Sequence, residues 1–375
     1  MNDNTATAGT PIRILVVDDI AAVREPLLQV LRCDADLELA GWAADVDTAQ
    51  QLVQSLAPDV VLLNGELARV DTLPWLRRLL RQRPVPVLVS AAATPRSAAL
   101  AFGALEQGAV DLVVRPRPEL PAEQERYAGD CRRQIRMAAG ARVRPLGASA
   151  SLRVASPVIA HTGQPGLNDT GLMPFRGTDQ LIALGAGEGG VAAVRDILCR
   201  LPAETPAMVI ALSLPKVFST AFAQRMNDAS PLIVHEARDG QTIQMGHVYF
   251  APGNQHLQVE REAKRYRCRL SDAHPVHHRR PSVDVLFHSV AHGAGARAIG
   301  VILTGAGTDG AMGLKALRER GAATLVQDER SSVVWGMPGA AIQTGAAGQI
   351  LPLEQMADGL QQLVAQRRDA VAARA

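Results

Sequence analysis

The residues of this 375-residue chain whose types and spacing could do chemistry begin with a glycine-rich turn, Gly185-Ala186-Gly187-Glu188-Gly189-Gly190. It follows an apolar run, Leu181-Ile182-Ala183-Leu184, and precedes a helix-like segment, Val191–Cys199. A tight turn between strand and helix puts its middle residues at the mouth of an open parallel sheet, where ligands and chemistry usually sit. Read by itself, Gly185-x-Gly187-x-x-Gly190 is a dinucleotide fingerprint that would seat the pyrophosphate of NAD on the helix N-terminus. NAD binding also needs an acid at the end of the next strand to hold the ribose. That strand, Met208–Leu212, ends in Ser213-Leu214-Pro215, and Glu204 lies before it, at the wrong end.

Two adjacent carboxylates, Asp18 and Asp19, close the first strand, and Ser90 is expected to end the fourth. Paired carboxylates at a strand end suit an octahedral Mg²⁺ with hard oxygen ligands, although two such acids can equally be solvated loop residues. His274, His277 and His278 could suggest a metal site. They sit beside Asp272, Pro275 and Arg279-Arg280 without an i,i+4 pattern, so a solvated loop is the expectation. Cys33, Cys131, Cys199 and Cys268 are widely spaced and form no C-x-x-C pair, which favours free thiols over disulfides or zinc.

The elements that must position these residues are legible in the apolar pattern. Strands are expected at 12–17, 37–40, 60–63, 85–89 and 112–114, with helices around 21–32, 48–56, 72–81 and 97–107. Five βα units joined by short loops make a doubly wound parallel sheet. An Arg-rich helix is expected at roughly 121–139, after Pro116 and Pro118. Residues 141–178 are rich in Gly, Ser, Ala, Thr and Pro and read as a flexible linker. From residue 179 to about 370, strand and helix patterns alternate again, as a second α/β domain with a mainly parallel sheet.

Composition bounds the functional classes. Hydrophobic residues make up 47% and charged residues 20% of the chain, as in ordinary globular proteins. A formal net charge of +2 gives no electrostatic reason to expect nucleic acid or a membrane surface as the main partner. The sequence has no 18-residue apolar run, and its first ten residues are polar, so neither membrane insertion nor a signal peptide is expected. The expected location is cytoplasmic.

The N-terminal layout, with Asp18-Asp19, Ser90 and Val114-Arg115-Pro116, resembles the receiver domain of response regulators. That resemblance places the phosphoacceptor aspartate at Asn64, after Pro58-Asp59-Val60-Val61-Leu62-Leu63, and a phosphate-contacting lysine at Arg115. An amide oxygen is a far poorer nucleophile than a carboxylate, so the usual aspartyl phosphate cannot form. The simplest role for Asn64 is to satisfy the hydrogen bonds of an unphosphorylated aspartate. Any Mg²⁺ bound by Asp18 and Asp19 is expected to be held weakly.

The C-terminal half resembles chemotaxis protein-glutamate methylesterases. The resemblance is carried by Ala251-Pro252-Gly253-Asn254-Gln255-His256, Arg280-Pro281-Ser282-Val283-Asp284-Val285-Leu286-Phe287-His288-Ser289, Val301-Ile302-Leu303-Thr304-Gly305-Ala306-Gly307-Thr308-Asp309-Gly310 and Gly336-Met337-Pro338. It implies a catalytic serine at Gly187, a histidine at Ser213 and an aspartate at Asp309, so only the acid is retained. Glu188 takes the place of a threonine whose backbone serves the oxyanion; a carboxylate there would repel that charge if it pointed inward. Losing the nucleophile or base of such a triad costs on the order of 10⁶-fold in turnover, about 8 kcal/mol.

Asp309 without its histidine is expected to cap the helix that follows it, 310–320. Ser213 and His256 are the candidates for a rearranged site, yet a lone strand-end serine is usually a turn or capping residue. His288 is expected to be packed or surface-exposed. The family's role implies receptor demethylation and glutamine deamidation, with methyl-accepting chemoreceptors and the chemosensory histidine kinase complex as partners. For this chain the expectation is a non-catalytic regulator in that setting. The alternatives are an active esterase using Ser213 and Asp309, and a dinucleotide-binding protein.

Overall fold

The computed structural model describes residues 10–32, 34–67, 72–115, 121–141, 143, 177–263 and 265–372, with backbone alone at 121–126 and 369–372. The chain divides into two compact units, one ending at residue 147 and the other beginning at residue 148. Apart from residues 141, 143, 177 and 178, the proposed linker at 141–178 lies outside the described residues, as do Cys33, Pro116 and Pro118.

In the first unit β1 (Ile12–Val17), α1 (Ala21–Arg32), β2 (Leu37–Ala43), α2 (Val46–Leu56), β3 (Val60–Asn64), α3 (Thr72–Gln82), β4 (Val87–Ala92), α4 (Pro95–Glu106), β5 (Asp111–Arg115) and α5 (Pro121–Ala139) alternate along the chain. The five strands are parallel in the order β2-β1-β3-β4-β5. Strand β3 is buried along its whole length, because helices covering both faces of a parallel sheet exclude water from every side chain of a central strand. Strand β4 runs two residues past Ser90, so Ser90 lies inside the strand opposite Asn64 rather than at its end. Asp45 and Thr94 cap α2 and α4 by accepting from the amides of Thr48 and Ser97, and these caps start both helices two residues earlier than the apolar pattern suggests.

The second unit contains β6 (Leu181–Ala186), α6 (Gly190–Arg200), β7 (Ala207–Leu212), α7 (Lys216–Ala229), β8 (Ile233–Glu236), β9 (His247–Phe250), β10 (His256–Glu262), β11 (Arg265–Ser271), α8 (Val283–Gly293), β12 (Ala298–Ile302), α9 (Ala311–Glu319), β13 (Ala323–Gln327), α10 (Met337–Gln343), β14 (Gln349–Leu351) and α11 (Leu353–Ala372). Seven strands form a parallel sheet in the order β14-β13-β12-β6-β7-β9-β8, and β10 and β11 form a separate antiparallel hairpin. Strand β6 is followed in sequence by β7 on one side and flanked by β12 on the other, which makes its C-terminal end the switch point of the sheet. Register pairs Ala186 with Leu212 and Gly185 with Ile302. The turns after β6, β7 and β12 therefore emerge side by side. No helix among the described residues is long and apolar enough to cross a membrane.

Candidate functional site at the switch point

The turn after β6 is wholly buried from Gly185 to Gly190. Gly187 N donates to Thr304 O at 2.9 Å, tying this turn to the one after β12. A Cβ at Gly187 would lie 2.9 Å from Gly305 Cα and 3.1 Å from Met337 Sδ. The backbone thus closes over the point from which a side chain would project. Position 305 is equally tight, with Met337 Sδ 2.4 Å from where its Cβ would stand.

The other glycines of the turn are spent in the same way. A Cβ at Gly185 would stand 2.1 Å from Val283 Cγ1, and one at Gly190 2.6 Å from Ala186 Cβ. Gly189 adopts a left-handed φ of +75° just before α6. These glycines let chain segments approach one another and leave no open cradle for a pyrophosphate. With Glu188 buried among them and no acid closing β7, the turn does not fit a dinucleotide.

Glu188 points inward. Its Oε1 accepts from Arg279 Nη2 at 2.6 Å, and its Oε2 accepts from Ala306 N at 2.8 Å. Its carbonyl oxygen accepts from Thr304 Oγ1 at 3.0 Å. Burial pushes the carboxyl upward, but the Arg279 guanidinium, with the Ala306 amide, outweighs it and holds the group below its ordinary range. Arg279 was not singled out by the sequence reading. Its place in the run His277-His278-Arg279-Arg280 gave no local signal that set it apart.

Asp309 is 2% exposed and fully engaged. Its Oδ1 accepts from Ser282 Oγ at 2.8 Å and Asp284 N at 2.9 Å, and its Oδ2 accepts from Val283 N at 2.9 Å. This corrects the expected capping of the helix after Asp309: the carboxylate caps α8, and Gly310 with φ +91° starts α9. The reason is tertiary, since the switch-point turn is carried onto an N-terminus formed 25 to 27 residues earlier.

Ser213 is exposed in the turn after β7, and its amide approaches Ala186 O at 3.4 Å. It does not cap α7, whose N-cap is Pro215. His256 begins β10 and is 1% exposed. Its Nδ1 accepts from Ser282 N at 3.2 Å and its Nε2 donates to His274 O at 3.1 Å. Both ring nitrogens are occupied in structural bonds, so His256 has no nitrogen with which to serve Ser213 as a base. His288 lies exposed on α8.

Of the three loop histidines, only His277 joins an acidic group: its Nε2 lies 2.9 Å from Asp284 Oδ2, and His277, Asp284 and Asp309 offer atoms within 4.8 Å of one another. Asp284 Oδ1 also accepts from Gly313 N at 2.6 Å. With the two carboxylates already holding α8 and α9, the donor set fits a hydrogen-bonded brace better than a cation. His277 and His278 both have left-handed φ, +50° and +59°, in the tight turn between Val276 and Arg279.

In the first unit Asn64 links the acidic pair to Arg115. Asn64 Nδ2 donates to Asp18 Oδ1 at 3.1 Å, with Asp19 Oδ1 at 3.5 Å, while its Oδ1 accepts from Arg115 Nη1 at 3.0 Å and Glu66 N at 3.0 Å. Arg115 also pairs with Glu66, whose other carboxylate oxygen accepts from Ser97 Oγ at 2.6 Å. Burial pushes the Asp18 carboxyl upward, against the lowering effects of the Ile20 amide, Arg115 and Asn64. The guanidinium 3.9 Å from Asp18 Oδ2, together with an Asn64 oxygen already spent twice, does not fit a Mg²⁺ site.

The comparisons with known proteins cover both units. A family profile described as response regulator receiver domain matches residues 14–122, and one described as CheB methylesterase matches residues 182–360. A "Protein-glutamate methylesterase/protein-glutamine glutaminase 2" of Xanthomonas oryzae pv. oryzae (strain MAFF 311018) is 46% identical over 362 residues, 96% of this chain and all of that protein. The chain belongs to the protein-glutamate methylesterase/protein-glutamine glutaminase family. A relative from Hydrogenovibrio crunogenus (strain DSM 25203 / XCL-2), named protein-glutamate methylesterase/protein-glutamine glutaminase, is 40% identical over 94% of this chain and 99% of that protein. Among solved structures, the Thermotoga maritima CheB methylesterase catalytic domain is 31% identical, covering 50% of this chain and 98% of that one with a TM-score of 0.48. These relatives are named as enzymes.

Proposed function

We propose that this methylesterase-family chain works as a non-catalytic regulator in chemosensory signalling, binding without turnover. The observation that carries the reading is at Gly187, which offers no nucleophile and whose missing Cβ would stand only 2.9 Å from Gly305 Cα. The base position, Ser213, is a hydroxyl exposed in a turn, and Asp309 is committed to the N-terminus of α8. Removing nucleophile and base together forfeits on the order of 10⁶-fold of the rate, which binding alone does not restore. By the same reading the receiver half does not accept phosphate, because Asn64 stands at the acceptor position and its amide bridges Asp18 and Arg115.

The partners that fit this role are those the family implies, methylated chemoreceptors and the chemosensory histidine kinase complex. The site residues, the division into 11–140, 141–178 and 179–370, and a cytoplasmic location all belong to this proposal. Its test is methanol release from methylated receptor cytoplasmic fragments by the full chain, beside a Gly187→Ser/Ser213→His variant. No release by the unaltered chain, together with retained capture of the fragments, is the expected result. Methanol release by the unaltered chain above the fragment-only background overturns it.

A further inference from the structure

Glu188 and Arg279 are 91 residues apart in sequence and meet at the switch point with side chains only 7% and 11% exposed. Removing two charges from water costs several kcal/mol per ion unless each finds strong partners. Here the carboxylate receives one charged donor and one amide, each on a different oxygen. The backbone that carries each donor makes further hydrogen bonds of its own. Arg279 is held by its reciprocal bonds with Val276, at 3.1 and 2.9 Å, and Gly305, just before Ala306, accepts from Gly336 N at 3.1 Å and Met337 N at 2.7 Å. A guanidinium and an amide aimed at one point form a receptor for a carboxylate.

We propose that Arg279 and the Ala306 amide form a carboxylate-binding subsite at the mouth of the sheet, kept filled from within by the glutamyl side chain of Glu188. The ligand class is the carboxylate of a glutamyl side chain, for which Glu188 is the built-in occupant. The proposal deepens the non-catalytic reading and rests on it in one respect: the bound group meets nothing that cleaves it.

The test is chemical rescue of the full chain. Glu188→Ala keeps Cβ and vacates the space of a CH₂ and a carboxylate, the dimensions of acetate. Glu188→Gly vacates one carbon more and matches propionate. Thermal unfolding is followed in sodium acetate, sodium propionate and acetamide against sodium chloride at equal ionic strength. With a dissociation constant of about 10 mM, 100 mM acetate raises the Tm of Glu188→Ala by roughly 3–5 °C over chloride. Propionate takes that role for Glu188→Gly, while acetamide rescues neither. The unaltered chain responds to both carboxylates as it does to chloride, and Glu188→Ala/Arg279→Ala loses the response.

Equal Tm in carboxylate and chloride for folded Glu188→Ala and Glu188→Gly overturns the proposal. Should these variants fail to fold in chloride, refolding from urea carries the same comparison. Recovery only in the matching carboxylate supports the subsite, and no recovery in either salt overturns it. The readout is independent of methanol release, so an active enzyme would sink the non-catalytic reading without erasing a rescue result.

Discussion

Ser282 Oγ donates to Asp309 Oδ1 at 2.8 Å while accepting, at 3.4 Å, from Val285 N, so one hydroxyl joins the switch-point turn to the first turn of α8. With the amides of Val283 and Asp284 on the same carboxylate, the α8 N-terminus has exchanged water for a side chain from another loop. The Asp309 carboxylate is thus fully used in holding a helix.

Replacing Asp309 tests that role. Asp309→Ala leaves a buried hydroxyl and two amides without their acceptor, and a loss of about 2–4 kcal/mol in unfolding free energy is expected. Asp309→Asn keeps one acceptor oxygen and should lose less. Urea denaturation of both variants checks the order, and an Asp309→Ala chain as stable as the original would contradict the cap.

Restoring a side chain at position 187 should also cost stability. The Cβ of Gly187→Ala meets Gly305 Cα at 2.9 Å unless the backbone yields by a few tenths of an ångström. The expected penalty for Gly187→Ala, and likewise for Gly187→Ser, is about 1–3 kcal/mol, the range for overpacked interiors. Differential unfolding of the two variants separates the Cβ from the hydroxyl; no penalty in either would mean that the loops part freely.

The acidic pocket of the first unit offers a third test. Asn64→Asp removes the amide that bridges Asp18 and adds a charge beside a carboxyl already pushed upward by burial. At neutral pH in EDTA the variant is expected to lose about 1–3 kcal/mol despite Arg115 nearby, and Mg²⁺ should restore it. The original chain should unfold at the same temperature with or without Mg²⁺. A Mg²⁺-dependent rise in its Tm would show that Asn64 and Arg115 leave room for the ion.

His247 predicts a pH dependence. Burial, and then the neighbouring His235, hold its pKa down to about 4, and His235 is itself lowered by burial and Arg238. The rings stack with centroids 5.1 Å apart, and His235 Nε2 lies 2.9 Å from His247 Nδ1. A folded-state pKa below the unfolded value of about 6.5 means the unfolded chain binds the proton first. Stability from the neutral pair is therefore present above about pH 6.5 and falls as the pH drops toward 4. His247→Gln should flatten that part of a Tm-against-pH curve, and an unchanged slope would exclude the pair as its source.

Much of this architecture was legible in sequence because parallel strands buried on both faces are continuous apolar runs, as at Val60–Leu63 and Leu181–Ala186. The glycine turn was legible as a turn, but its glycines serve contacts with Val283, Gly305 and Met337 that no local pattern encodes. Asp309 was assigned to the helix beside it, since local spacing cannot reveal an N-terminus delivered by the chain 26 residues earlier. Glu188 was noticed for the damage an inward carboxylate could do, whereas its partner Arg279 was hidden in a run of loop cations. Glu66, two residues beyond Asn64, drew no notice because a lone acid after a strand carries no signature of its own.

The seam between Gly187 and Gly305 couples two turns of the sheet. A serine placed at 187 would bring its Cβ to 2.9 Å from Gly305 Cα and 3.1 Å from the Met337 sulfur. It would also sit beside a carboxylate tied to Arg279. The close approach of two glycines thus stitches two turns of the sheet together, so a change in either one is felt in both.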